Sequence, residues 1–393
     1  MRCVWLIHAV LALAGCASEG RRSEPTRVDS AGVSIVSYLA LDTTLRLTLN
    51  EPSLSVGDVE GADPYLFSGI SGIARLSDGS IAVGEARAGE IRVFDRSGNF
   101  LHSMGGRGEG PGEFQFLYWF RVLQRDTILA WDGQLRRITL FTRAGEVVGT
   151  SAPMVPTNAV DWSAETIFPD RSLLIRPVKR DAARRGATML VDTALYVRWD
   201  PAAPSETREI VRLPVRSVYV DSEGAYWLVG FMPRHAVAAG SDRLYSIEGV
   251  DFTIRAHDLS GNLMLVIRVD QEPTSIPPDA LQAYKDSAIA SAGNPASEPY
   301  VRVILDQLPF PDRYPALDRI RIDASGRVWV CAYASADQQW YVFDEDGEFQ
   351  AAITIPAALE VVAIERDVIL GQWTDELGVV SARVYDLPER LIR

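Results

Sequence analysis

Cysteine, histidine and long apolar runs are scarce in this chain of 393 residues, and each scarcity closes off a class of protein. Of three cysteines, Cys3 and Cys16 fall at the very start and Cys331 stands alone in the body. A lone cysteine cannot form an internal disulfide, so the body has no covalent staple. Cys331 lies in the alternating run Val328-Trp329-Val330-Cys331-Ala332-Tyr333, where a small buried strand residue is expected rather than a nucleophile. Beyond His8, the histidines are His102, His235 and His257, too scattered to predict a zinc centre. Acidic residues outnumber basic ones 52 to 39, giving a net charge of −13, and loss of Arg2 with a cleaved leader would lower it by one more. That balance works against nucleic acid and anionic headgroups as partners. The one sustained apolar run, Val4 to Leu13, is about half the roughly 20 residues needed to cross a bilayer, so it reads as a processed signal and not as a membrane helix.

What the chain has in quantity is repetition. Short β-type runs end six times in an aromatic or histidine ring followed by a small polar residue: Phe94-Asp95, Phe141-Thr142, Trp199-Asp200, His257-Asp258, Phe343-Asp344 and Tyr385-Asp386. Ile91 to Asn99 (IRVFDRSGN) returns at Ile254 to Asn262 (IRAHDLSGN) and in part at Tyr341 to Phe349. The spacing is near the roughly 40 to 50 residues of a four-stranded propeller blade once insertions are allowed. Six copies predict six blades in an all-β fold.

Blade one is the clearest unit. Ile70 to Leu76, Ile81 to Gly84, Glu90 to Asp95 and Phe100 to Met104 are strand-length runs separated by Asp, Asn and Gly turns, the pattern of successive antiparallel hairpins. Gly57 to Phe67 (GDVEGADPYLF) and Gly106 to Phe116 (GRGEGPGEFQF) match in glycines, glutamate and aromatics. One blade separates them, so each is predicted to link an outer strand to the next inner strand, with its aromatics packed between blades. The last blade has only three strands before the chain ends, and Gly32 to Tyr38 (GVSIVSY) is the expected fourth, closing the ring and removing an open edge. Pro277-Pro278-Asp279 and Gly293-Asn294 bracket a helical insertion at about 275–293. Asp221 to Trp227 imitates the blade-five hairpin Asp323 to Trp329, so the stretch 211–250 holds either an inserted hairpin or a seventh blade, and the six aromatic repeats favour six.

Gly105-Gly106-Arg107-Gly108-Glu109-Gly110-Pro111-Gly112-Glu113-Phe114, the preceding Val93-Phe94-Asp95-Arg96-Ser97-Gly98 and the start Leu13-Ala14-Gly15-Cys16 together resemble the bacterial six-bladed β-propeller lipoproteins, relatives of the NHL-repeat (NHL/TolB-like) propellers. The resemblance implies a leader over 1–15, acylation of Cys16, a flexible tether over 16–31 and a propeller over 32–393. Ala17, where an aspartate is linked with inner-membrane retention, favours the outer membrane by the same resemblance. NHL-type propellers include binding platforms and lyases, so the resemblance implies a scaffold more than a reaction.

The glycine-rich run has neither the Lys-Ser/Thr pair of a phosphate loop nor the spacing of a dinucleotide fingerprint. Asp344, Asp346 and Glu348 open like a calcium loop without its full ligand set, and a hairpin turn accounts for them. No cofactor is clearly encoded. Aligning blades one and two sets Glu85 opposite Asp132, with Arg87 and Trp131 nearby, and Arg176, Lys179 and Arg180 follow in blade three. Glu85, Arg87, Trp131, Asp132 and Arg176 are therefore the expected ligand-binding residues of the channel mouth, fit to grip a polar ligand. The leading expectation is a lipid-anchored binding scaffold for a protein, peptide or glycan. The alternative is a lactonase- or lyase-type enzyme with a divalent metal held by carboxylates.

Overall fold

The computed structural model describes residues 24–42, 46–49, 51–153, 161–178, 188–201, 203, 205–294, 296–333 and 337–392. The leader, Cys16, Lys179 and Arg180 lie outside the described residues. Six sheets, each built on three or four consecutive antiparallel blade strands, follow one another along the chain as six blades. Blade 1 comprises Ile70–Arg75, Ile81–Glu85, Glu90–Phe94 and Phe100–Gly105, numbered from its innermost strand outward. Blades 2 to 6 begin with the inner strands Leu117–Val122, Asp161–Ile167, Ala236–Ala239, Leu317–Ile322 and Leu359–Ile364.

Each sheet buries both faces against its neighbours, which is why the strands read as nearly continuous apolar runs. Among the described residues six hydrophobic clusters fill the six interfaces. Phe114 and Phe120 pack between blades 1 and 2, Trp119, Trp131 and Trp199 between 2 and 3, and Phe168 and Leu244 between 3 and 4. Phe252 and Phe343 lie between 4 and 5, Trp329 and Tyr385 between 5 and 6, and Phe94 and Leu370 between 6 and 1. The repeated ring is thus the interface residue of its blade. The polar residue after it builds the turn: Asp95 Oδ1 accepts the N–H groups of Ser97 and Asn99, both at 2.8 Å, and Asp258 does the same for Ser260 and Asn262 at 2.8 and 2.9 Å. Asp344 likewise takes the N–H groups of Asp346 and Glu348, so that run is a hairpin turn. Gly261 closes its turn at φ 88°, and a Cβ there would meet the Ile210 carbonyl oxygen at 2.0 Å.

The N-terminal segment departs from expectation. Val33–Tyr38 does not complete blade 6; it pairs in parallel with Leu263–Val269 on the outside of blade 4, Ser34 opposite Leu265. Arg46–Thr48 then pairs in parallel with Phe349–Ile355 of blade 5, and Leu54–Val56 joins Val380–Asp386 as the closing strand of blade 6, Val56 opposite Ala382. The segment is a belt that adds strands to three successive blades, two to blade 4 with Thr26–Ser30 included and one each to blades 5 and 6. Packing explains the placement of Val33–Tyr38: Val36 and Tyr38 are buried in the cluster between blades 4 and 5. Within the span 16–31 expected to be a tether, Thr26–Ser30 forms the edge strand of a hairpin with Val33–Tyr38, and residues 16–23 lie outside the described residues.

The stretch 211–250 holds no seventh blade. Thr207–Val220 turns at Asp221 into Tyr226–Leu228, an additional strand on blade 3. The insertion contains the expected helix, α1 (Pro278–Ala290), and a second, α2 (Glu298–Gln307). Val301, Ile304, Leu305 and Leu308 recur at helical spacing and pack with Tyr219 and Val229 beside blade 3.

Candidate functional site

The innermost strands of all six blades surround a channel of about 620 Å³, lined by segments around Ala74, Val122, Thr166, Ala238, Ile322 and Ala363. The three carboxylates among its described lining residues are all committed. Glu365 pairs with Arg75 at 3.0 Å, Glu165 with Arg176 at 2.6 Å, and Asp323 with Arg327 at 2.7 Å, while Asp323 also accepts from Trp329 Nε1 at 2.8 Å.

Two arginines are not so committed. Arg121 extends from the inner strand of blade 2 and Arg321 from that of blade 5. Arg121 donates to the Phe120 carbonyl at 2.8 Å and lies 5.5 Å from the Trp119 ring centroid, and Arg321 donates to the Ile320 carbonyl at 3.1 Å. Among the described residues neither has an ion-pair partner within 4.0 Å. Both keep some solvent-accessible surface because the channel is wide enough for water, yet protein encloses them. Burial and then repulsion from Arg321 push the Arg121 guanidinium down to about 10. Arg321 is also lowered, by burial first and by Arg319 second, with Glu360 partly opposing.

The residues expected at the channel mouth sit elsewhere. Glu85 is buried, and its carboxylate accepts the Ser68 N–H at 3.0 Å, the Ser68 hydroxyl and the Ala88 N–H. Burial alone would raise its pKa, but these donors and Arg92 outweigh burial and leave it below the ordinary value. Asp132 is fully buried and accepts the N–H groups of Gln115, Gln134 and Leu135, each at 2.8 Å. The alignment of Glu85 with Asp132 holds, since each closes its strand opposite the start of the inner strand, Ile70 or Leu117. Their expected exposure does not hold, because both carboxylates organise the turn that follows them.

Trp131 is likewise buried, its ring centroid 5.3 Å from that of Trp162. Arg176 is tied to Glu165 and Ser163; burial alone would lower its pKa, but the charge and hydrogen bond of Glu165 outweigh burial and leave it raised. Arg87 alone is exposed, beside a cavity of about 640 Å³ on the flank of blade 1 that it lines with Glu85, Glu90 and Arg92. None of the five lines the channel.

Sequence reasoning missed Arg121 and Arg321. The signal available was a cation interrupting an apolar inner strand at the same point in two blades, Phe120-Arg121-Val122 and Ile320-Arg321-Ile322.

A family model described as 6-bladed beta-propeller matches residues 58–152, the first two blades and the loop before them. No curated protein matches the sequence. Similar solved structures include a Bacteroides fragilis protein described as exported, 13% identical over 88% of this chain and 99% of that one, TM-score 0.43. A gluconolactonase from Xanthomonas campestris is 12% identical over 82% and 87%, TM-score 0.44. A virginiamycin B lyase from Staphylococcus aureus is 12% identical over 81% and 95%, TM-score 0.41. Similarity at this level is silent about activity, and the six-bladed architecture rests on the sheet topology of the chain itself.

Proposed function

We propose that the protein is a non-catalytic binding propeller of the bacterial cell envelope, tethered through a lipid on Cys16 to the outer membrane, and that it engages a protein, peptide or glycan at its central channel. The observation that carries this reading is the state of the channel's charged groups. Glu165, Glu365 and Asp323 are ion-paired, whereas Arg121 and Arg321 offer unspent N–H donors. Such a site holds a ligand by hydrogen bonding and charge and supplies little for proton transfer. The metal-dependent lactonase or lyase reading would need three or four convergent oxygen ligands. Among the described residues no group of three or more His, Cys, Asp and Glu side chains is set to hold an ion.

The test is binding to peptide and glycan arrays by the wild type and by Thr166→Trp, which fills the channel from blade 3, with a melting curve for each and mass spectrometry of every bound compound. Binding lost on filling the channel, with the compounds recovered intact, supports the proposal. Conversion of a bound compound to product refutes the non-catalytic reading, and equal binding by Thr166→Trp moves the site away from the channel.

A further inference from the structure

We propose that the channel is a receptor for a small oxyanion, a carboxylate or phosphate group held between Arg121 and Arg321; this rests on the reading of the channel as the ligand-binding site. The two arginines occupy equivalent places in their blades. Arg121 pairs with Leu129 and Arg321 with Trp329 in the first hairpin of each. Each lies two residues before the turn, where Leu123 N–H bonds the Thr127 carbonyl and Asp323 N–H bonds the Arg327 carbonyl. They therefore stand in one layer of the channel. Blades 2 and 5 are three steps apart in a ring of six, so the guanidinium groups approach from opposite walls.

Like charges facing across an enclosed space are unfavourable, and the neighbours do little to relieve them. Arg319, two residues before Arg321 on the same strand, adds a positive charge that its own pair with Asp318 at 3.2 Å offsets. Arg75 is already taken by Glu365 and Asp367. Glu360 acts on Arg321 only from beyond ion-pair distance. A negatively charged guest would turn this repulsion into attraction. Each guanidinium carries five N–H donors in a planar fork that matches the oxygens of a carboxylate or phosphate, and each spends one hydrogen bond here on a backbone carbonyl. The size of the space fixes the class further. A channel of about 620 Å³ walled by Ala74, Val122, Thr166, Ala239, Ile322 and Ala363 admits a small molecule or the anionic end of a larger one.

The test measures melting temperature and titration calorimetry on the full mature chain with inorganic phosphate and with succinate, against sodium chloride of equal ionic strength. Arg121→Gln and Arg321→Gln are compared with Arg268→Gln, an exposed arginine on the outer strand of blade 4 and away from the channel. With either probe the wild type and Arg268→Gln should bind and melt higher, and both channel variants should bind at least tenfold more weakly. Without a probe, the channel variants should melt above the wild type by about 2 °C, since each removes a repelling charge. A purely structural role would make them melt lower. Binding of one probe and not the other identifies which oxyanion the channel prefers and supports the assignment.

The assignment is overturned if neither probe binds the wild type at millimolar concentration, if the channel variants bind as well as the wild type, or if they melt lower without a probe. Should neither probe bind while array ligands still bind and are lost in Thr166→Trp, the oxyanion falls and the channel-binding reading stands. Should the probes behave as expected while array compounds are turned over, the oxyanion site stands and the non-catalytic reading falls.

Discussion

The Tyr38 hydroxyl accepts the Phe349 backbone N–H at 2.9 Å, joining residues 311 apart in sequence, and donates to the Gly347 carbonyl at 2.9 Å. Burial pushes this phenol up to about 12, so it stays protonated and able to donate through the physiological range. The bond anchors the N-terminal belt to the blade-five hairpin, while the Tyr38 ring lies 6.1 Å from Phe343.

Tyr38→Phe keeps the ring and removes both hydrogen bonds, leaving the Phe349 N–H without its acceptor. The expected loss is about 1 to 3 kcal/mol. Denaturant unfolding measures it, and hydrogen exchange should show faster exchange across Val33–Tyr38. An unchanged midpoint with unchanged exchange would mean the belt is held by its strand pairing alone.

The blades were legible because their signals are local. A ring, an aspartate and a glycine within four residues of Phe94 or Phe343 specify a hairpin without reference to the rest of the chain. Closure was not read correctly, although the matched loops contained the clue. Gly106–Phe116 follows the outer strand of blade 1, so its counterpart Gly57–Phe67 had to follow an outer strand too, and that strand is Leu54–Val56. Val33–Tyr38 is longer and more apolar, and only the socket formed by Phe343, Gly347 and Phe349 assigns it to the boundary of blades 4 and 5. The channel arginines were obscure for a global reason. Which edge of a strand faces the axis is settled when six blades close, whereas Glu85 and Asp132 looked available because charged residues after a strand are usually solvated.

Asp132 should prove to be a structural carboxylate. Asp132→Ala removes the shared acceptor of three N–H donors in a partly exposed turn, where water reaches Gln134, at an expected cost of about 1 to 3 kcal/mol. Asp132→Lys should prevent folding of blade 2. Melting curves and near-ultraviolet circular dichroism check both, and a well-folded lysine variant would return Asp132 to the surface.

Asp221 ties the insertion to blade 3 by accepting from Trp227 Nε1 at 2.9 Å and from the Tyr300 hydroxyl at 3.0 Å. The Trp227 hydrogen bond is the largest cause holding its pKa down at about 2, below the ordinary carboxylate range. A depressed carboxylate contributes stability that is present above its unfolded pKa and lost as pH falls through its folded pKa. The stability difference between wild type and Asp221→Asn should therefore be constant near neutrality and shrink between about pH 4 and 2. Tryptophan fluorescence during denaturation at a series of pH values follows it. A difference independent of pH across that window would show that the charge of Asp221 does not hold the insertion.

Ring closure can be tested with a bond. Val56 and Ala382 are directly opposite partners in the antiparallel pair that completes blade 6, and opposite Cβ atoms in such pairs lie about 4.5 to 5.5 Å apart. Val56→Cys with Ala382→Cys should accordingly oxidise to a disulfide, seen as faster migration on a non-reducing gel. Cys331 is buried within blade 5 and should not compete. The closed loop spans nearly the whole propeller, so the chain-entropy model allows up to about 5 kcal/mol of added stability, reduced by any strain in the bridge. Val36→Cys with Ala382→Cys is the control, because Val36 pairs with Ile267 of blade 4. Cross-linking of the Val36 pair and not the Val56 pair would restore Gly32–Tyr38 as the closing strand and refute the belt.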